Sequence, residues 1–294
     1  MPLPRPLEEQ LEDLLSRQHG SAVRVMQAFP VYGGSINEAY RLETSAGAFF
    51  VKVNAADRFP SLFRSEAHGL QLLRNAAALR VPEVLAHGEA GGSTFLLMEY
   101  IAPGGEDRDF QGRFGRLLAK LHRQGGTSFG LDRDNYIGAL PQVNTPCPDW
   151  SEFFMKCRLE PLVKMARDHG RIHAGDVLRF ERLYGRLPAL FPTEKPALLH
   201  GDLWKNNYLA AVGGQPVLID PAVYYGHREM DLAMTLLFGG FHRDFYEAYQ
   251  EELPLQPDWR QRTGLCNLYP LLVHLNLFGG SYAGRVGTVL REYT

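Results

Sequence analysis

The stretch Leu198-Leu199-His200-Gly201-Asp202-Leu203-Trp204-Lys205-Asn206-Asn207 constrains this chain more than any other. A short apolar run delivers an acid, Asp202, and an amide, Asn207, follows five residues later. A second apolar run, Val217-Leu218-Ile219, delivers another acid, Asp220, thirteen residues beyond Asn207. The first run fits a strand that passes into a loop at Leu199, from which Asp202 projects. A chain of 294 residues with 45 % apolar content has material for a full core, as one large domain or two lobes, and global disorder is excluded.

The order acid, amide, acid matches a phosphoryl-transfer signature, in which a catalytic Asp is followed by an Asn and then by a metal-binding Asp. Asp202 is placed to orient an attacking hydroxyl and to accept its proton. Asn207 and Asp220 offer hard oxygen ligands, which suits Mg2+ on ATP phosphates and not a soft metal. His200 reads as a structural brace for the loop, because Asp202 already fills the acid–base role. Lys205 meets a phosphate or stays solvated, and its residue type does not decide between them. Gly201 stands where protein kinases carry Arg, and Pro221-Ala222 where they carry Phe-Gly. Both departures point to small-molecule kinases.

The first hundred residues read as a strand-rich lobe. Leu7, Leu11, Leu14 and Leu15 have helical spacing and place an amphipathic helix over 7–17. Strands are expected over 22–31, 37–44 and 48–54. The Gly33-Gly34-Ser35 turn between the first two is small enough for backbone N–H groups to approach phosphate oxygens, although such a turn also serves a plain hairpin. Lys52 sits inside the apolar run Phe49-Phe50-Val51-Lys52-Val53. Glu66 lies in a helix expected over 61–78, with Leu62, Leu70 and Leu73 at i−4, i+4 and i+7, so its carboxylate falls within the apolar stripe. A buried carboxylate must be paired, and Lys52 is the partner the sequence offers. A buried strand over 94–101 ends at Pro103-Gly104-Gly105, a candidate hinge, where backbone groups near Glu99, Tyr100 and Ile101 would meet the adenine. The division is therefore a nucleotide-binding lobe, 1–101, and a catalytic and substrate-binding lobe, 102–294.

In the second lobe, helices are expected over 110–123, 150–167, 174–187, 241–253 and 259–290, with a long loop over 129–148 that is rich in Gly, Pro, Asn and Asp. Asp231 opens an apolar helix over 232–238. Its burial there favours a structural role, accepting backbone N–H groups of the catalytic loop. Net charge is −2, so nothing in bulk electrostatics favours nucleic acid or an anionic membrane. No apolar run is long enough to span a bilayer, and the first ten residues lack a signal-peptide core. Cys147, Cys157 and Cys266 form no C-x-x-C pair and read as reduced thiols. A cytoplasmic monomer is expected.

These residues resemble the fructosamine kinase (ketosamine kinase) family. The likeness rests on His200-Gly201-Asp202-Leu203-Trp204 with Asn207, on Ile219-Asp220-Pro221-Ala222, and on Tyr225-Gly226-His227-Arg228-Glu229 with Asp231. Gly33-Gly34-Ser35-Ile36 and the segment from Asn135-Tyr136-Ile137-Gly138 through Trp150 to Arg158-Leu159 are similar too. The His-Gly-Asp core alone is shared with aminoglycoside phosphotransferases and choline kinases; Trp204 and the Tyr225 to Glu229 run narrow it. The resemblance implies an α+β, two-lobed protein-kinase-like fold, with a small antiparallel N-lobe sheet, one main helix there, and a larger helical C-lobe. It implies ATP-dependent phosphorylation of the 3-hydroxyl of a ketosamine, a ribulosamine, erythrulosamine or fructosamine adduct of lysine, which leads to deglycation. Asp202 would be the base, Asn207 and Asp220 the Mg2+ ligands, and Lys52 with Glu66 the phosphate-positioning pair. Trp204, Tyr225 and His227 would meet the substrate. The chain departs from the family at Ser35, where many members carry Cys, and at Lys205-Asn206, where Ser-Gly is common. The competing readings are an aminoglycoside- or choline-type kinase on the same scaffold and a nucleotide-binding pseudokinase.

Overall fold

The computed structural model describes residues 3–32 and 36–294. In chain order its elements are α1 (Arg5–His19), β1 (Val25–Pro30), β2 (Glu38–Thr44), β3 (Gly47–Ala55), α2 (Leu62–Asn75), β4 (Val84–Ala90), β5 (Ser93–Glu99) and α3 (Phe110–His122). There follow β6 (Asn135–Ile137), β7 (Leu140–Gln142), α4 (Trp150–Phe153), a π-helical stretch Phe154–Leu159, α5 (Glu160–Asp168), α6 (Ala174–Leu190) and β8 (Ala197–Leu199). The chain closes with β9 (Tyr208–Ala211), β10 (Gln215–Leu218), β11 (Tyr224–Gly226), α7 (Glu229–Phe238), α8 (Arg243–Glu252), α9 (Thr263–Phe278) and α10 (Tyr282–Tyr293). Contacts divide it into two compact units, 1–107 with 209–219, and 108–208 with 220–294. The changeover falls at 107/108 rather than 101/102, and the β9–β10 hairpin is grouped with the first unit.

The first unit is built on an antiparallel sheet of order β1-β2-β3-β5-β4. Alternation along β3 sends Phe49, Val51 and Val53 to one face, where they join Phe95 and Leu97 of β5 against Leu7, Leu11 and Leu15 of α1. The opposite face receives Lys52 and is covered by α2, through Leu62, Phe63, Leu70 and Leu73. Pro6 in the first turn and Gly20 at φ 70° set the limits of α1. The β9–β10 hairpin covers Ile101, packing Ala211 and Val217 on it.

The second unit is mostly helical. Its core joins Phe153, Phe154, Leu183, Tyr224, Leu268 and Leu272. Helix α3 lies close on α8: a Cβ on Gly115 would come within 2.1 Å of Phe245 O, so only glycine permits the approach. Among the described residues no helix is long and apolar enough to cross a membrane.

Several elements differ from expectation. The loop over 129–148 contains the β6–β7 hairpin and pairs Phe129 with Cys147. The helix expected over 150–167 is interrupted by the π-helical stretch, which adds a residue to a turn and rotates the next helix. The segment 259–290 breaks at Gly279 and Gly280, both at positive φ. Strand β4 and the β9–β10 pairing carried no strong apolar alternation and were not anticipated.

Candidate active site

Strand β8 is buried along its whole length and ends at Leu199, so the next residues leave the core as a loop. Gly201 takes φ +82°, and a Cβ there would lie 2.0 Å from Ala222 O. Glycine is thus required both by conformation and by contact. Asp231, in the first turn of α7, accepts the N–H of His200 at 2.8 Å and of Gly201 at 2.9 Å. Burial would raise the Asp231 pKa, but His122 Nε2, 3.2 Å away, and these backbone donors hold it below the usual carboxylate range. His122 is fixed in turn by Tyr249, its Nδ1 lying 2.9 Å from the hydroxyl. His200 is fully buried, and its Nδ1 accepts the Asp202 N–H at 3.2 Å.

Asp202 keeps a partly accessible edge at the end of this braced loop. Asn207 Nδ2 donates to Asp202 O at 2.8 Å and to Asp202 Oδ2 at 2.9 Å. Burial, opposed by the Asn207 and Trp204 hydrogen bonds and aided by repulsion from Asp220 and Asp231, pushes the Asp202 carboxyl up to about 7. Asp220 is exposed and sits at φ +54°, a left-handed position seldom taken by a residue with a side chain. Ala222, two residues on, donates its N–H to His200 O at 2.9 Å, and β11 pairs antiparallel with β8. The Asp220 segment is thereby stitched to the Asp202 loop.

This donor set suits a hard divalent cation. Burial, with added repulsion from Asp220, raises Asp202, and the Asn207 amide nitrogen is committed to Asp202, which leaves Oδ1 as the atom able to ligate. Among the described residues no group of three His, Cys, Asp or Glu forms a metal cage. A cation here would complete its shell with phosphate oxygens and water, the habit of Mg2+.

In the first unit Lys52 Nζ lies 2.6 Å from Glu66 Oε1, with both side chains at most 10 % exposed. The pair is present because β3 sends Lys52 to the face that α2 covers. Glu99, at the end of β5, pairs with Arg80, and its N–H donates to Glu83 O at 2.8 Å. Arg41 stacks on the Tyr100 ring at 4.7 Å, and Ile101 is buried under the hairpin. Gly33, Gly34 and Ser35 lie outside the described residues.

Of the three residues assigned to the substrate, Trp204 is partly exposed and packs on Phe238 at 5.6 Å, which in turn contacts His274 at 4.8 Å. Tyr225 is half-buried beside Gly126. His227 has no exposed surface; it is packed between Trp150 and Phe191, and burial lowers its pKa. Its neighbours explain the run it belongs to. Arg228 forms a two-pronged pair with Glu194 at 2.7 and 2.8 Å, and Glu229, fully buried, one with Arg262 at 2.6 and 2.8 Å. These pairs pin the start of α7, and so Asp231. His122 and Tyr249 were missed by sequence reasoning, since each ends or lines an ordinary amphipathic helix. Arg262 and Glu194 were missed because their partners are distant in the chain.

A family model for fructosamine kinase matches residues 7–294. A probable ketoamine kinase of Lactiplantibacillus plantarum is 41 % identical over 271 residues, covering 92 % of this chain and 95 % of that protein. The chloroplastic protein-ribulosamine 3-kinase of Arabidopsis thaliana is 39 % identical, with 93 % and 84 % covered. Among solved structures, a candidate fructosamine-3-kinase from Thermobifida fusca superposes with a TM-score of 0.86 at 36 % identity, covering 96 % and 97 % of the two chains. An aminoglycoside phosphotransferase in complex with AMP-PNP and hygromycin B gives a TM-score of 0.63 at 18 % identity, a likeness of fold alone. The α+β architecture is therefore the two-lobed, protein-kinase-like one, and the chain is a kinase that belongs to the fructosamine kinase family.

Proposed function

We propose that the protein transfers the γ-phosphoryl group of ATP to the 3-hydroxyl of a ketosamine. The acceptor is a ribulosamine, erythrulosamine or fructosamine adduct of lysine, free or on a protein, and phosphorylation leads to deglycation. The observation that carries this reading is the braced loop: Asp202 is held by Asn207, and its loop is tied to Asp231 by two backbone N–H groups. Asp202 accepts the proton of the hydroxyl as that oxygen bonds to the γ-phosphorus and ADP departs. A carboxyl raised to about 7 is matched to proton transfer near neutral pH. Asn207 and Asp220 would hold Mg2+, which supplies charge neutralisation on the phosphates when bound. Lys52, oriented by Glu66, serves the nucleotide phosphates, with backbone near Glu99, Tyr100 and Ile101 serving the base and residues Gly33, Gly34 and Ser35 the phosphates. Trp204 and Tyr225 serve the acceptor. The protein acts in the cytoplasm as a monomer.

A coupled ADP-release assay with ribulosamine, fructosamine, choline and kanamycin tests this. Turnover of the ketosamines is expected; turnover of only choline or kanamycin sinks the reading, and no turnover with any acceptor favours a pseudokinase. Asp202→Asn should abolish transfer and spare ATP·Mg2+ binding.

A further inference from the structure

The strongest unexplained feature is a buried polar chain in the second unit. Arg158, within the π-helical stretch, has no exposed surface, and Asn135, Gln142, Asn144 and Tyr269 are buried with it. The guanidinium lies 3.9 Å from the centre of the Tyr224 ring and 4.6 Å from that of Phe153. Its hydrogen bonds go to neutral oxygens: Val143 O, Cys157 O at 3.1 Å and Asn144 Oδ1 at 2.8 Å. A buried cation held by neutral groups is costly, so its retention calls for a reason.

Hydrogen-bond polarity supplies one. Arginine only donates, so Asn144 must present Oδ1 to it and turn Nδ2 outward. Nδ2 then donates to Asn135 Oδ1 at 2.8 Å, which forces Asn135 Nδ2 onto Val223 O at 2.8 Å. From the other side, the Ala222 carbonyl can only accept, so Gln142 turns Nε2 to it at 3.1 Å and to Asn135 Oδ1 at 2.7 Å, which leaves Gln142 Oε1 to accept the Tyr269 hydroxyl at 2.6 Å. Every amide orientation is thus fixed between Arg158, which only donates, and the Ala222 and Val223 carbonyls, which only accept. The outputs are two consecutive carbonyls, Ala222 and Val223, just after Asp220. Ala222 is the residue whose N–H reaches His200 O and whose carbonyl packs on Gly201.

We infer that Arg158, Asn144, Asn135, Gln142 and Tyr269 form a polarity-fixed relay that positions the 220–223 segment, and with it Asp220 and the Asp202 loop. They are positioning residues, and the inference rests on the roles proposed above for Asp202 and Asp220. A purely structural role predicts that Asn144→Asp alters stability alone, because it gives Arg158 a carboxylate and removes the Asn144 Nδ2 bond to Arg133 O at 3.1 Å. The relay predicts a change at the site as well. An aspartate there cannot donate to Asn135, so the Asn135 amide turns over and sets its oxygen against Val223 O.

The test compares Asn144→Asp and Tyr269→Phe with Val286→Ala, a core substitution in α10 outside the relay. Three quantities are read: hydrogen exchange of the Asp220, Ala222, Val223 and Tyr224 amides without nucleotide or metal, affinity for Mn2+·AMP-PNP, and kcat against KM with ribulosamine. Both relay variants should stay folded, exchange faster in that segment, bind Mn2+·AMP-PNP roughly tenfold more weakly, and lose kcat more than they raise ketosamine KM. Val286→Ala should lower the melting temperature and leave all three unchanged. Wild-type exchange and affinity in both relay variants overturns the inference, as does the same loss in Val286→Ala or absence of Mn2+·AMP-PNP binding by the unmodified protein. If the unmodified protein ignores every ketosamine while the exchange and affinity differences hold, the substrate reading fails and the relay stands.

Discussion

Asp231→Asn should detach the catalytic loop while leaving the shape of the core intact. The carboxylate receives two backbone N–H groups, from His200 at 2.8 Å and Gly201 at 2.9 Å, and is 1 % exposed. An asparagine oxygen can keep one of these donors, but its NH2 group then faces the other. The variant therefore loses one charge-assisted bond, about 1.5–3 kcal/mol, and leaves a buried N–H unsatisfied, about 1–3 kcal/mol more. A loss of roughly 4 kcal/mol lowers the melting temperature of a unit of this size by about 8–16 °C. The sign with pH follows from the depressed Asp231 pKa. The ionised form is favoured by folding, so its contribution is full above the unfolded value, about 4, and disappears as pH falls through the folded value. Thermal unfolding of both proteins from pH 3 to pH 8 checks this, with kcat measured well below both melting points. A melting difference under about 3 °C at pH 7, or a difference that grows towards low pH, would refute the reasoning.

Gly201→Ala should be worse than a conformational cost alone of about 1–2 kcal/mol, because the added methyl meets Ala222 O; inactivity at a temperature where the protein remains folded checks it. Lys52→Met and Glu66→Gln should each lower stability by about 3–5 kcal/mol by removing one partner of a buried ion pair. Lys52→Met with Glu66→Leu should restore melting close to the starting value, yet leave the KM for ATP raised; recovery of ATP affinity in the double variant would show that the pair is only structural. For Asp202, raised to about 7, folding favours the protonated form, so the group destabilises the chain increasingly as pH rises from about 4 through 7. Asp202→Asn should accordingly melt higher than the unmodified protein at pH 8 and only slightly higher at pH 5, while kcat/KM of the unmodified protein falls about tenfold per unit below pH 7; a larger gain at pH 5 contradicts the sign.

What the sequence made legible was local or periodic. The spacing of Asp202, Asn207 and Asp220 could be read because it is local: Asp202 and Asn207 share one short stretch, and Asp220 directly follows an apolar run. The Lys52–Glu66 contact could be read because two periods, two for the strand and 3.6 for the helix, each direct one charge to the same layer. The π-helical stretch could not, since one added residue in a turn leaves no compositional mark. Nor could the burial of Asn135, Gln142 and Asn144, whose amides satisfy one another inside a segment that reads as polar loop. The partners of Arg228 and Glu229 were hidden for a related reason. A polar run suggests surface, but Arg228 and Glu229 find partners 34 and 33 residues away, at Glu194 and Arg262. The left-handed backbone at Asp220 is likewise a product of its surroundings, because nothing in Ile219-Asp220-Pro221 demands it.

The grouping of residues 209–219 with the first unit has a consequence for how the chain is made. Ile101 stays uncovered until Ala211 and Val217 have been synthesised and folded back onto it. The N-terminal unit therefore cannot finish on the ribosome when its own sheet emerges, after residue 107. It waits until residue 219 of 294 has left the exit tunnel, by which time α3 to α6 of the other unit are already present. A gene cut after residue 107 would release a first unit in which Ile101 lacks Ala211 and Val217, the residues that cover it.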